Sequence, residues 1–239
     1  MMAITRVLAP GVAALAVLAA AAMPAAQEKA AEPPLFLTSA ELDQAVRLPL
    51  PPPEGSDAEK AEIAELHHIE QARTPGRLEQ ARWDGEHEDG SMFVPTFGPA
   101  FDLAKLPATA RMLADVRHDQ KLAASKAKAI YRRKRPFIVD PSLQSCSKDE
   151  KPFTSYPSGH ATMGWALATV LAEAWPGKTR TIMARAADYA ESRVVCEVHF
   201  RSDIDAGKIL GERVAQDLLA KPAFKAEEAA AAKELAALN

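Results

Sequence analysis

Glycine is scarce in this sequence, with 11 residues in 239, and aromatic residues make up only 6%. Long β-branched runs are missing, and no stretch alternates with the period of a strand or repeats another stretch. Alanine is abundant instead, and an Ala-rich, Gly-poor chain favours helix. Charge of either sign is not in excess: the formal net charge is −3, so nothing global points to nucleic acid or to an anionic membrane. Cysteine is reduced to Cys146 and Cys196, and two cysteines alone cannot build a structural zinc site. A second long apolar run is also missing, because "MGWALATVLAEAW" is interrupted by Glu173 and is too short to span a bilayer.

The one long apolar run lies at the N-terminus. "MMAITRVLAPGVAALAVLAAAAMPAAQEKA" carries Arg6, an apolar stretch to Met23, small residues, and then Glu28 and Lys29. This is the layout of a secretory signal peptide over 1–26, with cleavage expected within 22–26. An uncleaved anchor helix is the rival, for which the run is only just long enough. The mature protein is expected to be soluble and periplasmic or secreted, with no membrane contact after cleavage. In an oxidising compartment a lone pair of cysteines is bridged more often than free, two buried free thiols being the alternative. A Cys146–Cys196 bridge closes a loop of about 50 residues and contributes on the order of 4 kcal/mol in the chain-entropy model.

After the signal peptide comes a proline-rich arm, 27–55. Pro33–Pro34 and Pro51–Pro53 forbid continuous helix there. "TSAELDQAVRL" between them forms a short helix capped by Thr38 or Ser39, and the arm is expected to wrap over the core. From Ser56 the pattern is helical, with Ile63, Leu66 and Ile69 on one stripe. A further helix restarts after a break at Pro75–Gly76, and "GSMFVPTFGPAF" reads as a loop. "LPATARMLADVRHDQKLAASKAKAIYRRK" reads as one or two helices ended by Arg135–Pro136. "VDPSLQSCSKDEKPFTSYP" is a loop long enough to suggest function. Helices follow at about 158–175, 178–195 and 202–219. Residues 222–239 form an Ala/Glu-rich tail, a surface helix or frayed end. The whole reads as an all-α, single-domain helical bundle, with 56–221 as its catalytic domain.

Three short pieces carry chemistry. In "KAKAIYRRKRPF", Lys128 and Arg135 are seven apart, so on a helix both face one way and could meet one anion; alone, a solvated basic face explains them as well. In "YPSGHAT" a helix starts after Pro157. Its first N–H groups form a ready anion site, Gly159 allows close approach to the backbone, and His160 stands in the first turn. The plain alternative is Ser158 as N-cap with His160 on the surface. In "ESRVVCEVHFRSDIDAG", Arg193 can grip a phosphate in bidentate fashion. His199 and Asp203 are four apart, so the carboxylate can hold one ring nitrogen and leave the other as a nucleophile. Arg193 and His199 are six apart, which needs a chain break near Glu197–His199 if they are to share a site.

Together the pieces read Lys-x6-Arg-Pro, Pro-Ser-Gly-His and Ser-Arg-x5-His-x3-Asp. This order resembles the signature of the type 2 phosphatidic acid phosphatase and vanadium haloperoxidase superfamily, with every motif position filled. "SYPSGH", "SRVVCEVHFRSDIDAG", the proline-rich arm and the signal peptide are similar to the bacterial class A non-specific acid phosphatases. The resemblance is strong over about 125–210 and looser over 35–125. It implies an acid phosphatase acting on small phosphomonoesters. Lys128, Arg135 and Arg193 would hold the phosphoryl oxygens, and the backbone N–H groups near Ser158–Gly159 with the Ser158 hydroxyl would complete the cradle. His199 would attack phosphorus, Asp203 would orient it, and His160 would protonate the leaving alkoxide and then activate water. No metal or other cofactor is called for, since three cations do the charge work. The acidic stretch "DGEHEDG" at 84–90 is expected to be a loop or helix end.

Three rivals stand beside this reading. Vanadate imitates the phosphoryl transition state, so the same residues would suit a vanadium-dependent haloperoxidase, for which the chain is short. A silent phosphate-binding protein needs neither nucleophile nor acid. A lipid phosphatase would need an apolar surface patch. Phosphotransfer to alcohols is a further outcome of the same chemistry. The leaving group is not named by any motif; the walls of the site are expected from the 84–100 and 136–156 loops. A homo-oligomer is compatible with the sequence.

Overall fold

The computed structural model describes residues 32–238; the signal-peptide expectation for 1–26 lies outside the described residues. From Pro33 onward the chain forms one compact unit. Its helices are α1 (Ser39–Ala45), α2 (Asp57–Ala72), α3 (Pro75–Glu86), α4 (Val94–Phe97), α5 (Pro107–Tyr131), α6 (Pro136–Val139), α7 (Gly159–Ala174), α8 (Thr179–Val195), α9 (Arg201–Leu219) and α10 (Pro222–Ala236). Among the described residues there is no strand, and the all-α expectation holds.

The centre is α7. Twelve of its 16 residues are buried, including the run from His160 to Ala168. A helix apolar on every side must be enclosed, and here α5, α8 and α9 enclose it. The closest approach is to α9. An added Cβ at Gly207 would lie 2.7 Å from Ala161 Cβ, and one at Gly211 would lie 2.4 Å from the Thr162 carbonyl oxygen. These two glycines let α9 lie directly on the first turns of α7, which brings His199 and Asp203 beside Ser158 and His160. Gly211→Ala is therefore expected to lower stability by about 1–3 kcal/mol through overpacking. The measurement is the urea midpoint; an unchanged midpoint would mean that α7 and α9 are not in this contact.

The arm wraps over the core as expected. The buried Asp119 carboxylate accepts the amides of Leu35, Phe36 and Leu37 at 2.7–3.0 Å. Tyr131 Oη bonds to the backbone of Val46 and Leu48. The capping box of α1 uses Thr38 and Glu41.

Four expectations need correction. Pro75 does not break a helix but opens α3 at its first position, behind the Thr74 cap. Residues 90–101 are short helical turns, in which Met92, Phe93 and Phe101 are buried. Glycine and proline there interrupt the helix without preventing local turns. The long helix α5 ends at Tyr131, before Arg135–Pro136, because Arg132 takes a left-handed conformation at φ 48°. The tail is a packed helix: Phe224, Ala231 and Leu235 of α10 are fully buried, and the Glu234 carboxylate caps the N-terminus of α5 through Ala108 and Thr109. Its few large apolar residues made the pattern weak, but alanines allow helices to approach closely.

Candidate active site

The bend between α8 and α9 builds one wall. After α8 ends at Val195, Glu197 takes φ 55° and the chain turns before α9 begins at Arg201. This is the break that Arg193 and His199 need to meet. Cys146 and Cys196 form a disulfide, and the Cys146 amide donates to the Cys196 carbonyl at 2.9 Å. The bend is thereby tied to the 140–158 loop. Beneath it the Arg73 guanidinium stands 2.7 Å from the buried Glu197 carboxylate, and burial holds the Glu197 carboxyl above the usual range.

His199 is held from both sides. Its Nδ1 is 3.2 Å from Asp203 Oδ2, and its Nε2 is 2.9 Å from Arg135 Nη1. A guanidinium can only donate, so Nε2 carries a lone pair and the ring proton is on Nδ1, facing Asp203. Burial first, and then Arg135, Lys128 and Arg193, hold the imidazole well below its ordinary pKa. The ring is therefore neutral, with the lone pair of Nε2 on the cationic side. Asp203 is itself fully buried. It also accepts from Ser155 Oγ at 2.5 Å, the Phe200 amide at 2.9 Å and Arg133 Nη1 at 2.8 Å. Arg133 in turn donates to Ser202 and Glu62 and lies 3.9 Å over the Phe200 ring.

The cations converge by a different route from the one read in the sequence. Lys128 and Arg135 do not share a continuous helix. They meet at Thr154, where Lys128 Nζ donates to the carbonyl at 2.7 Å and Arg135 Nη2 to the hydroxyl at 3.3 Å. Arg135 also pairs with Glu150 at 2.9 Å. Arg193 is buried with its Nε unpartnered, and no carboxylate stands within ion-pair distance among the described residues. Its guanidinium lies against Gly85, where an added Cβ would come within 2.5 Å of Nη1.

At the start of α7, Ser158 is an N-cap, its Oγ accepting from Ala161 N at 3.3 Å. Its own amide is taken by the Asp203 carbonyl at 2.9 Å, so the Ser158 N–H is not left for an anion, contrary to expectation. The first-turn amides left over are those of Gly159 and His160. Gly159 lines the cleft under Lys128, whose Nζ would stand 3.7 Å from an added Cβ. His160 is not a surface residue. Its Nε2 faces the Gly85 carbonyl and the Glu88 carboxylate, each at 3.1 Å, and so carries a hydrogen. Burial first, and then Arg193, push its pKa well below the ordinary value.

His199, His160, Gly159, Arg135 and Lys128 line a cleft of about 910 Å³, while Ser158, Arg193 and Asp203 lie behind its lining. Glu88 and the 147–154 stretch supply walls as expected, but one face of α5 from Arg117 to Ala129 supplies another that sequence reasoning did not name. Arg133, Ser155 and Glu88 were missed too. Arg133 sits in the run "RRKR", where nothing in the sequence separates it from its neighbours. In the 84–90 stretch, Asp84 is the buried partner of Arg185 and Ser192. Among the described residues, no three His, Cys, Asp or Glu side chains gather as a metal site.

Residues 119–221 match the PAP2 superfamily. A non-specific acid phosphatase of Providencia stuartii is 31% identical over 228 residues, 92% of each chain. The chain belongs to the PAP2 superfamily. A non-specific acid phosphatase of Salmonella typhimurium is also 31% identical, over 78% of each chain, so this PAP2 protein groups with the acid phosphatases that its motifs resemble. The fold agrees with that of a transmembrane PAP2-type phosphatidylglycerolphosphate phosphatase of Bacillus subtilis, with a TM-score of 0.51 at 21% identity over 68% of this chain and 85% of that one. Among the described residues of the present PAP2 chain, no helix is long and apolar enough to cross a membrane.

Proposed function

We propose that this protein is an exported, metal-independent acid phosphatase that hydrolyses phosphate monoesters through a phosphohistidine on His199, with broad specificity. Identity of 31% over nearly the whole chain to a non-specific acid phosphatase supports the activity. The observation that carries the mechanism is the polarisation of His199 between Asp203 and Arg135. A phosphoryl oxygen offered to Arg135 competes for the N–H that holds Nε2, freeing the lone pair. Nε2 then forms a bond to phosphorus while the ester P–O bond breaks. Protonated His160 gives its proton to the leaving alkoxide. Water next attacks phosphorus, neutral His160 takes its proton, and the P–N bond breaks. Lys128, Arg135, Arg193 and the amides of Gly159 and His160 hold the equatorial oxygens, whose charge they offset. Export rests on the pattern of 1–26 and is supported by the disulfide.

The test is hydrolysis of p-nitrophenyl phosphate with EDTA present. Activity is expected to survive EDTA. Loss that a divalent cation restores would overturn metal independence, and no hydrolysis at any pH would overturn the phosphatase reading. Because the acid His160 has a depressed pKa, it is protonated only at acidic pH. The alkaline limb of the rate profile is expected at or below the ordinary imidazole range, and a profile without that limb would remove His160 as the acid.

Lys128 makes a separate prediction. Burial, and then Arg135, push its pKa down to about 8. The ammonium is charged below that value and neutral above it, so its grip on an anion is present below pH 8 and lost as pH rises. Sulfate keeps its charge throughout this range. Its Kd, measured by calorimetry, is expected to rise about tenfold from pH 7 to pH 9. In Lys128→Met the Kd should be weaker throughout and flat; the same rise in that variant would assign it to another group.

A further inference from the structure

We infer that the cleft carries a second anion subsite around Arg117 and Lys121, so that sugar or polyol phosphates bearing a second phosphate are favoured substrates. The inference rests on the phosphatase reading of the inner end of the cleft.

Arg117, Lys121 and Lys128 lie on one face of α5 and all line the cleft. Arg117 and Lys121 are spaced i, i+4, and like charges at that spacing destabilise a helix by a few tenths of a kcal/mol. Lys126, on α5 but outside the cleft, pairs with Asp43, and Lys105 with Asp102 at 3.0 Å. Lys121 has none among the described residues. Arg117 is held by the Glu88 carbonyl through its Nε, while the Glu88 carboxylate stays 3.9 Å from Nη2. The cleft is lined by six Lys and Arg side chains against three carboxylates, in a chain whose net charge is −3. That local excess is not a general feature of the surface.

The floor between the two charge centres is open. Ala124 and Ser125 occupy the turn between Lys121 and Lys128, and neither is large enough to fill it. The Gln120 side chain also lines the cleft there. At about 1.5 Å of rise per residue, Lys121 stands about 10 Å along the axis from Lys128. Such a separation suits phosphates at opposite ends of a sugar, whereas the adjacent phosphates of a diphosphate would both fall near Lys128. The volume of about 910 Å³ accommodates the whole molecule, being at the upper end for small-ligand clefts.

The experiment compares kcat/KM for fructose 1,6-bisphosphate with that for fructose 1-phosphate and fructose 6-phosphate at low ionic strength, with p-nitrophenyl phosphate turned over in parallel. The bisphosphate is expected to exceed either monophosphate by about tenfold, the scale of two partly exposed charge contacts. In Arg117→Met/Lys121→Met that ratio should fall to about one, and in Lys126→Met, outside the cleft, it should stay at its original value. A ratio near one in the wild type, or one unchanged in the double variant, would overturn the subsite while leaving the phosphatase reading intact. Absence of p-nitrophenyl phosphate turnover would overturn that reading and the subsite with it.

Discussion

His199→Ala is expected to lower kcat by about 10⁴-fold or more, the scale of removing a nucleophile whose attack splits a difficult step in two. The expectation rests on three features of the ring. Its Nε2 lone pair is fixed by a donor-only partner, its charge is suppressed by burial and three cations, and its proton is held on the opposite side by Asp203. On the proposed mechanism alanine removes the attacking atom, while Lys128, Arg135 and Arg193, proposed to hold the phosphate, stay. KM should therefore change far less than kcat. Acid-labile phosphate should be trapped on the wild type after a denaturing alkaline quench and be missing from His199→Ala. His160→Ala should accumulate it, because the second step lacks its base. Turnover within tenfold of wild type in His199→Ala would sink the phosphohistidine scheme, and no trapped phosphate in His160→Ala would weaken the two-step order.

Asp203→Asn is expected to cost about 10³-fold in kcat, and stability as well. Four donors converge on this one carboxylate: Arg133, Ser155, the Phe200 amide and His199. An amide has one acceptor oxygen. If its nitrogen faces Arg133, two donors oppose each other in a buried site, a penalty of about 1–3 kcal/mol. If its nitrogen faces His199, the ring is offered the wrong partner and its tautomer reverses. In either orientation the negative charge that would stabilise the proposed cationic phosphohistidine is gone. The measurements are kcat and the thermal midpoint of the same preparation. A lower midpoint with kcat within tenfold of wild type would make Asp203 a structural residue only.

The motif residues were legible because phosphoryl transfer demands particular side chains, and their spacing survives in the chain as Lys128…Arg135, Ser158–Gly159–His160 and Arg193…His199…Asp203. How they meet is a tertiary matter. The seven-residue spacing puts Lys128 and Arg135 on one face of a helix, but Arg132 ends that helix and the two cations converge on Thr154 instead. The helix start offers backbone N–H groups near Ser158–Gly159 to an anion, but the Asp203 carbonyl takes that of Ser158. Neither contact leaves a periodic trace, because each joins segments far apart in sequence.

The sequence by itself determined the all-α class, the motifs on which the proposed mechanism rests and the pairing of Cys146 with Cys196. These depend on composition, local propensity and residue chemistry. Only the tertiary structure decided the close seating of α9 on α7 through Gly207 and Gly211, the tie from Arg133 to Asp203, the tie from Glu88 to His160, and the cationic wall of α5. Each of these depends on which surfaces approach within a few ångströms, and that distance is set by packing over the whole core.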